Sequence, residues 1–258
     1  MFKALFLLSA IVVSGSGAIP AAVPASSFVL IGDSTTANGT TENSGGWGNG
    51  FCGSNAVSPA VPSALEPNTP CINTAKNGAT TGTFVANGYF DISIKAIKAE
   101  VAKGRKTYAT IQFGHNDQKI ATPESMGANL TAMVKQVRSA GGEPILVTPL
   151  TRRTFNSANQ ISDSLGPWAD QTKLIAQQQN THVLDLNAAS IKYCNAIGPD
   201  ACHRLNRSPT DNTHLNRGGS IVFGRMVADL MTASFPNQLP IIANPDLTRN
   251  ISLGIPSF

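Results

Sequence analysis

The chain has 258 residues, a size that suits one domain with a sizeable core, and a net charge of +4 at pH 7. Its 19 lysines and arginines stand singly or in pairs such as Arg152-Arg153, which argues against nucleic-acid recognition, since that needs clusters. No apolar run is long enough to span a bilayer, so no membrane partner is expected either.

In chain order, residues 1–18 read as a signal peptide. Lys3 is the positive start, Leu5 to Val13 the apolar stretch, and Ser16-Gly17-Ala18 a small-residue cleavage site. Residues 19–258 are then a single exported domain, expected to act as a monomer, and the Asn-x-Ser/Thr sites at Asn38, Asn129, Asn206 and Asn250 fit a secreted glycoprotein. Four cysteines predict two disulfides, for which three connectivities exist. The local pairs Cys52–Cys71 and Cys194–Cys202 are preferred because each brackets a Pro/Ser/Asn-rich or Gly-Pro loop. Without Cys-x-x-Cys there is no sign of a metal or redox centre, and no cofactor is expected.

Phe28 to Ile31 are four consecutive strand-formers, and Cys71 to Ala75 is a weaker strand candidate. Asp91 to Gly104 follows as a helix, with Asp91 as its cap and Ile94, Ile97 and Val101 at helical spacing. Tyr108 to Phe113 reads as a buried strand. Thr122-Pro123-Glu124 then opens a helix whose apolar face is Met126, Leu130, Met133, Val134 and Val137, stopped by Gly141-Gly142. Pro144 to Thr148 is a strand, Asp163 to Asn180 a helix, His182 to Leu186 a strand, and Gly218 to Ser234 a final helix. The segment from Tyr193 to Thr210 reads as a loop with its own disulfide, and the proline-rich tail from Pro236 as a surface strap. This alternation predicts an α/β fold, three layers with a central parallel sheet between helices.

Such sheets collect ligands at the carboxyl ends of their strands. Gly32-Asp33-Ser34 delivers a hydroxyl to one such end, but a serine there is a nucleophile only if a base, an orienter and oxyanion donors join it. Three segments are placed to supply them: Asn77-Gly78, after the second strand; Gly114-His115-Asn116-Asp117, after the third; and Asp211-Asn212-Thr213-His214, before the last helix. In this reading His214 takes the Ser34 proton and Asp211, three residues earlier, fixes the imidazole tautomer. The backbone N–H groups of Ser34 and Gly78, with the Asn116 amide, hold the oxyanion.

These four blocks resemble those of the GDSL, or SGNH, hydrolases, over about residues 27 to 232. The local versions Gly32-Asp33-Ser34-Thr35-Thr36-Ala37, Gly45-Gly46-Trp47-Gly48, Gly78 with Thr83-Phe84, Phe113 to Asp117 and Asp211 to His214 resemble one branch of that family, the rhamnogalacturonan acetylesterases. The resemblance implies a flavodoxin-like sheet and metal-free hydrolysis of acetyl esters on plant-wall polysaccharide through an acyl-enzyme. It carries Ser34, Gly78, Asn116, Asp211 and His214 over as catalytic. The second block departs from that branch, with Ala79-Thr80-Thr81 where Arg and Ser are usual.

Other motifs have two readings. Gly48-x-Gly50-x-x-Gly53 matches a dinucleotide fingerprint, but no β-branched strand leads into it. Trp47 is either a sugar platform or core packing. Arg152, Arg153, Arg204 and Arg207 fall in loops near the expected site, where a guanidinium suits a substrate carboxylate; Trp47, Arg152 and Arg204 are the candidate substrate contacts. His182 reads as structural, and His203 as a solvated or substrate-facing loop residue.

Overall fold

Apolar and β-branched residues form the five strands of the computed structural model, which describes residues 25–39, 41, 44–56 and 58–258. The expected leader at 1–18 lies outside the described residues. The strands are β1 (Ser26–Gly32), β2 (Cys71–Asn73), β3 (Lys106–Gln112), β4 (Glu143–Val147) and β5 (His182–Leu184). All pair in parallel, in the order β2-β1-β3-β4-β5. This is the flavodoxin-like order, and the chain reverses its winding direction between β1 and β3.

Successive strand residues point to opposite faces, so each buried strand feeds two cores. Phe28, Leu30, Tyr108, Ile145, Val147 and Leu184 face one layer, built from α1 (Trp47–Cys52), α7 (Leu186–His203) and α8 (Arg217–Ser234). Val29, Ile31, Ala109, Ile111 and Leu146 face the other, built from α3 (Tyr89–Ala102), α5 (Pro123–Ser139) and α6 (Gly166–Gln178). The short helices α2 (Thr81–Ala86) and α4 (Asp117–Ile120) follow β2 and β3, and α9 (Pro245–Leu253) lies near the end of the chain. Among the described residues, no helix is long and apolar enough to cross a membrane.

α5 starts as its sequence predicts, with the Thr122 hydroxyl accepting from Ser125 N–H and Pro123 in the first turn. α3 does not. Gly88, at φ 74°, turns the chain straight out of α2, so the helix begins at Tyr89 and Asp91 lies in its first turn instead of capping it. β5 ends at Leu184 because Asp185 caps α7, its Oδ1 accepting from Ala188 N–H at 3.2 Å. The expected loop from Tyr193 is therefore helical to His203, broken only at Gly198 (φ 78°) before Pro199. The Cys194–Cys202 disulfide bridges that break, and Cys52–Cys71 ties α1 to β2. The tail strap contains a helix not foreseen, α9, whose Leu247 and Ile251 pack on the first core.

In Gly48-x-Gly50-x-x-Gly53, Gly48 lies against the Thr36 carbonyl, Gly50 serves helix packing, and Gly53, at φ 79°, ends α1. A Cβ on Gly50 would lie 1.9 Å from the Ser220 carbonyl oxygen, and one on Gly224 would lie 2.4 Å from the Gly50 carbonyl carbon. α1 and α8 thus cross with their backbones in contact.

Candidate active site

Directly after β1, Asp33 starts a single helical turn, with Thr36 N–H and Ala37 N–H both bonded to its carbonyl. Its carboxylate caps that turn, Oδ1 accepting from Thr35 N–H and Thr35 Oγ1, each at 2.8 Å. Ser34 is thereby fixed, half-buried, at the start of the turn. Beneath it, Gln112 Oε1 at the end of β3 accepts from Thr36 Oγ1 at 2.6 Å and Trp47 Nε1 at 2.7 Å, while Thr35 Oγ1, whose one proton is shared with Asp33, lies at 3.1 Å. Gln112 is a supporting residue that the sequence pattern did not mark, because a polar residue inside a buried strand declares its partners only in three dimensions. Trp47 is wholly buried in this arrangement. It is core packing with a satisfied indole N–H, and the sugar-platform reading is corrected.

Across the cleft, Ser34 Oγ and His214 Nε2 are 3.0 Å apart. His214 Nδ1 lies 2.9 Å from Asp211 Oδ2 and 3.1 Å from Oδ1. Asp211 Oδ1 also accepts from the backbone N–H groups of Thr213 and His214, and Arg207 Nη2 reaches Oδ2 at 2.7 Å. Partial burial works to raise the Asp211 pKa, but the hydrogen bonds from His214 and Thr213 outweigh it and hold the carboxylate well below its usual range. A carboxylate so fixed is ionised and aims Nδ1–H, which leaves Nε2 free to accept the serine proton.

Arg153 braces this loop from below. Its Nε donates to Asn206 Oδ1 and its Nη2 to the His214 carbonyl at 2.8 Å, while its own N–H bonds the Asn212 carbonyl. The side chain is wholly buried, and burial lowers its pKa to about 9. Arg153 is thus a strut and not a substrate contact. His203 Nε2 lies 2.8 Å from the Arg153 carbonyl and belongs to the same brace. Asn206 is 4% exposed, with both ends of its amide bonded, so the fold corrects its reading as a glycan site.

Gly78 ends a turn after β2, at φ 77°. A Cβ there would meet nothing within 4 Å, so the backbone conformation and not crowding asks for glycine. Neither Ser34 N–H nor Gly78 N–H has a partner among the described residues. Asn116 stands just before α4, and its Nδ2 donates to the Ala79 carbonyl at 3.1 Å, linking the loops after β2 and β3. Asp117 strengthens that link, its Oδ1 accepting from Thr81 N–H at 3.0 Å and Thr81 Oγ1 at 2.6 Å. Burial and the Asp33 charge push the Asp117 carboxyl up despite the Thr81 bonds. Asp33 goes the other way. Burial opposes its charge, but His115, whose Nδ1 is 3.7 Å from Oδ2, and the Thr35 donors bring it below the ordinary value.

Ser34, Gly78, Asn116 and His214 line one cleft of about 480 Å³. Its wall also includes Asn38, Lys119, Arg152, Arg207 and Thr213. Arg152 spans the site loops, donating to Thr213 Oγ1 at 2.5 Å, the His115 carbonyl at 3.2 Å and Gln118 Oε1 at 3.3 Å. Arg204 is not in this wall. It lies over the Phe258 ring at 3.7 Å, because the α7 extension carries it towards the tail, and Arg207 and Lys119 are the cleft-lining cations that replace it. Among the described residues no group of three or more His, Cys, Asp or Glu side chains could hold a metal ion.

An oxygen nucleophile against an imidazole, an imidazole against a fixed carboxylate and free N–H groups beside them can perform acyl transfer. Comparison with known proteins agrees. The sequence profile of the GDSL-like lipase/acylhydrolase family matches residues 30–220. The chain is 34% identical over 172 residues to the rhamnogalacturonan acetylesterase RhgT of Bacillus subtilis (strain 168), covering 61% of this chain and 72% of that one. It is 29% identical over 203 residues to the uncharacterized esterase YxiM of the same organism, covering 76% of this chain and 49% of that one. This chain therefore spans about half of the YxiM length. The crystal structure of YxiM superposes with a TM-score of 0.70 at 23% identity, over 84% of this chain and 59% of that one. That of Axe2, an acetylxylan esterase from Geobacillus stearothermophilus, superposes at 0.56 with 17% identity, over 83% and 95%. At such identities the superpositions establish the fold, and the profile match over most of the described chain establishes descent. The chain belongs to the GDSL-like lipase/acylhydrolase family.

Proposed function

We propose that this protein is a secreted serine esterase that removes acetyl groups from an acidic plant-wall polysaccharide, rhamnogalacturonan first among them. The observation that carries the chemistry is the continuous chain from Ser34 Oγ through the His214 ring to Asp211 Oδ2, with steps of 3.0 and 2.9 Å, opening on the cleft. Ser34 Oγ attacks the acetyl carbonyl carbon while His214 Nε2 takes its proton, and Asp211 stabilises the imidazolium. The oxyanion is held by the N–H groups of Ser34 and Gly78 and by the Asn116 amide. His214 then returns its proton to the departing sugar oxygen, leaving acetyl-Ser34. Water, deprotonated by His214, attacks that ester; the bond to Ser34 Oγ breaks, His214 returns the proton to Oγ, and acetate leaves.

The substrate class is supported by the cleft wall and by the likeness to RhgT. Lys119, Arg152 and Arg207 line the wall, a field that suits a polymer bearing carboxylates. A lipid tail would need an apolar slot, whereas this wall is mostly Ser, Asn, Thr, Gly and cationic side chains. Two disulfides fit an extracellular setting.

Acetate release measured on acetylated rhamnogalacturonan, acetylated xylan and aryl esters of rising chain length tests this reading. Rhamnogalacturonan should give the highest kcat/KM, falling as salt rises. A preference for xylan, or no salt dependence, would overturn the acidic-polymer assignment while leaving the serine chemistry in place. No turnover of any ester, with no labelling of Ser34 by a serine-directed phosphonate, would favour a binding protein.

A further inference from the structure

We propose that Lys119 is a positioning residue that locks the Asn116 amide in the orientation an oxyanion donor requires. The proposal rests on the serine-esterase reading above. Asn116 stands at the start of α4 and Lys119 one turn on, its N–H bonded to the Asn116 carbonyl at 3.1 Å. The two side chains also meet, with Lys119 Nζ donating to Asn116 Oδ1 at 3.0 Å. On its other side, Asn116 Nδ2 donates to the Ala79 carbonyl at 3.1 Å.

An asparagine amide is nearly the same shape after a half-turn about its last bond, so only its partners decide which end is which. Here both ends are specified. The ammonium has donors only and demands Oδ1, while the Ala79 carbonyl has lone pairs only and demands Nδ2. A flipped amide would set donor against donor at Lys119 and acceptor against acceptor at Ala79, and would offer the cleft a lone pair where negative charge develops. One Nδ2–H goes to Ala79, which leaves the second for the oxyanion. Donation from a cation to Oδ1 also draws electron density from the amide, making that remaining N–H a stronger donor.

Lys119 lines the cleft, so a rival role is attraction of an acidic polymer. A neutral aryl acetate separates the two, because attraction would alter KM on the polymer and leave the neutral ester untouched. The experiment measures kcat and KM on a neutral aryl acetate for wild type, K119M, K119R, N116A and N116A/K119M. Lys119 is exposed, so its variants should fold with an unchanged Tm. The expected result is a fall in kcat of roughly 3–10-fold for K119M at constant KM, a fraction of the effect of losing a whole oxyanion donor. K119R should recover most of it, and K119M should add nothing in the N116A background. Unchanged kcat in K119M beside an impaired N116A would overturn the Lys119 role alone, as would losses that multiply in the double variant. An N116A enzyme with full kcat would overturn the Asn116 reading on which the proposal stands.

Discussion

The indole N–H of Trp47 donates to Gln112 Oε1 at 2.7 Å, and through that one oxygen the first helix supports the serine turn. Gln112 closes β3, Trp47 opens α1, and Thr35 and Thr36 follow Ser34 directly. The serine turn and α1 therefore meet on a single acceptor supplied by a strand more than 60 residues away, below the nucleophile. Replacing Trp47 with Phe removes one of these donors and leaves a void. A loss of about 2–4 kcal/mol in urea unfolding is expected, with a lower kcat from a looser turn. Wild-type stability in this variant would show the bond to be incidental.

Ser34→Ala should reduce acetate release by at least about 10³-fold, because base and orienter have nothing to act on. The side chain is part-exposed and, among the described residues, bonded only to His214, so the melting temperature should move little. Retained turnover would dismiss the serine mechanism.

Gly78→Ala tests whether backbone conformation or space governs the second block. At φ 77° an added methyl meets no protein atom within 4 Å but strains the chain, by about 1–2 kcal/mol. If the turn relaxes to relieve that strain, its N–H leaves the cleft and kcat falls. The check is kcat against unfolding free energy, with a large fall in kcat expected beside a small stability change.

Acid should destabilise the protein through carboxylates whose folded pKa lies below the unfolded one. Asp33, Glu100 and Asp211 are of this kind. At Glu100, burial opposes the charge, but Lys103 at 2.6 Å and Arg105 at 2.7 Å outweigh it. Their contribution is present above an unfolded pKa of about 4 and disappears as pH falls through the folded values. Asp117, raised by burial, acts in the opposite sense and offsets part of it. Stability should therefore drop below about pH 4, and E100Q should be weaker than wild type at pH 7 but approach it at pH 3. Parallel pH profiles of Tm for the two proteins would exclude Glu100 from this behaviour.

Reducing the Cys52–Cys71 bridge opens a 19-residue separation and should lower stability by about 3 kcal/mol on chain-entropy grounds. Because that bridge ties α1 to β2, its loss should also make activity more sensitive to heat. Thermal inactivation of a Cys52→Ala/Cys71→Ala variant measures this.

The alternation of apolar runs and amphipathic stretches identified the parallel sheet and its two helical layers, because burial on both faces writes itself as periodicity. Chain order alone set Ser34, Gly78, Asn116 and His214 beside strand ends or helix starts, and the structure brings all four to one cleft. What periodicity misses is structure made by single capping residues. Asp185 converts the end of a strand into α7, and α1 and α2, six residues each, are too short to show a clear stripe. The partners of polar residues were likewise hidden. Arg153, Arg204 and Arg207 look alike in sequence, yet one is a buried brace, one covers Phe258 and one holds Asp211. A residue's type limits which bonds it can form, whereas packing between distant segments chooses among them, and that choice exists only in the folded chain.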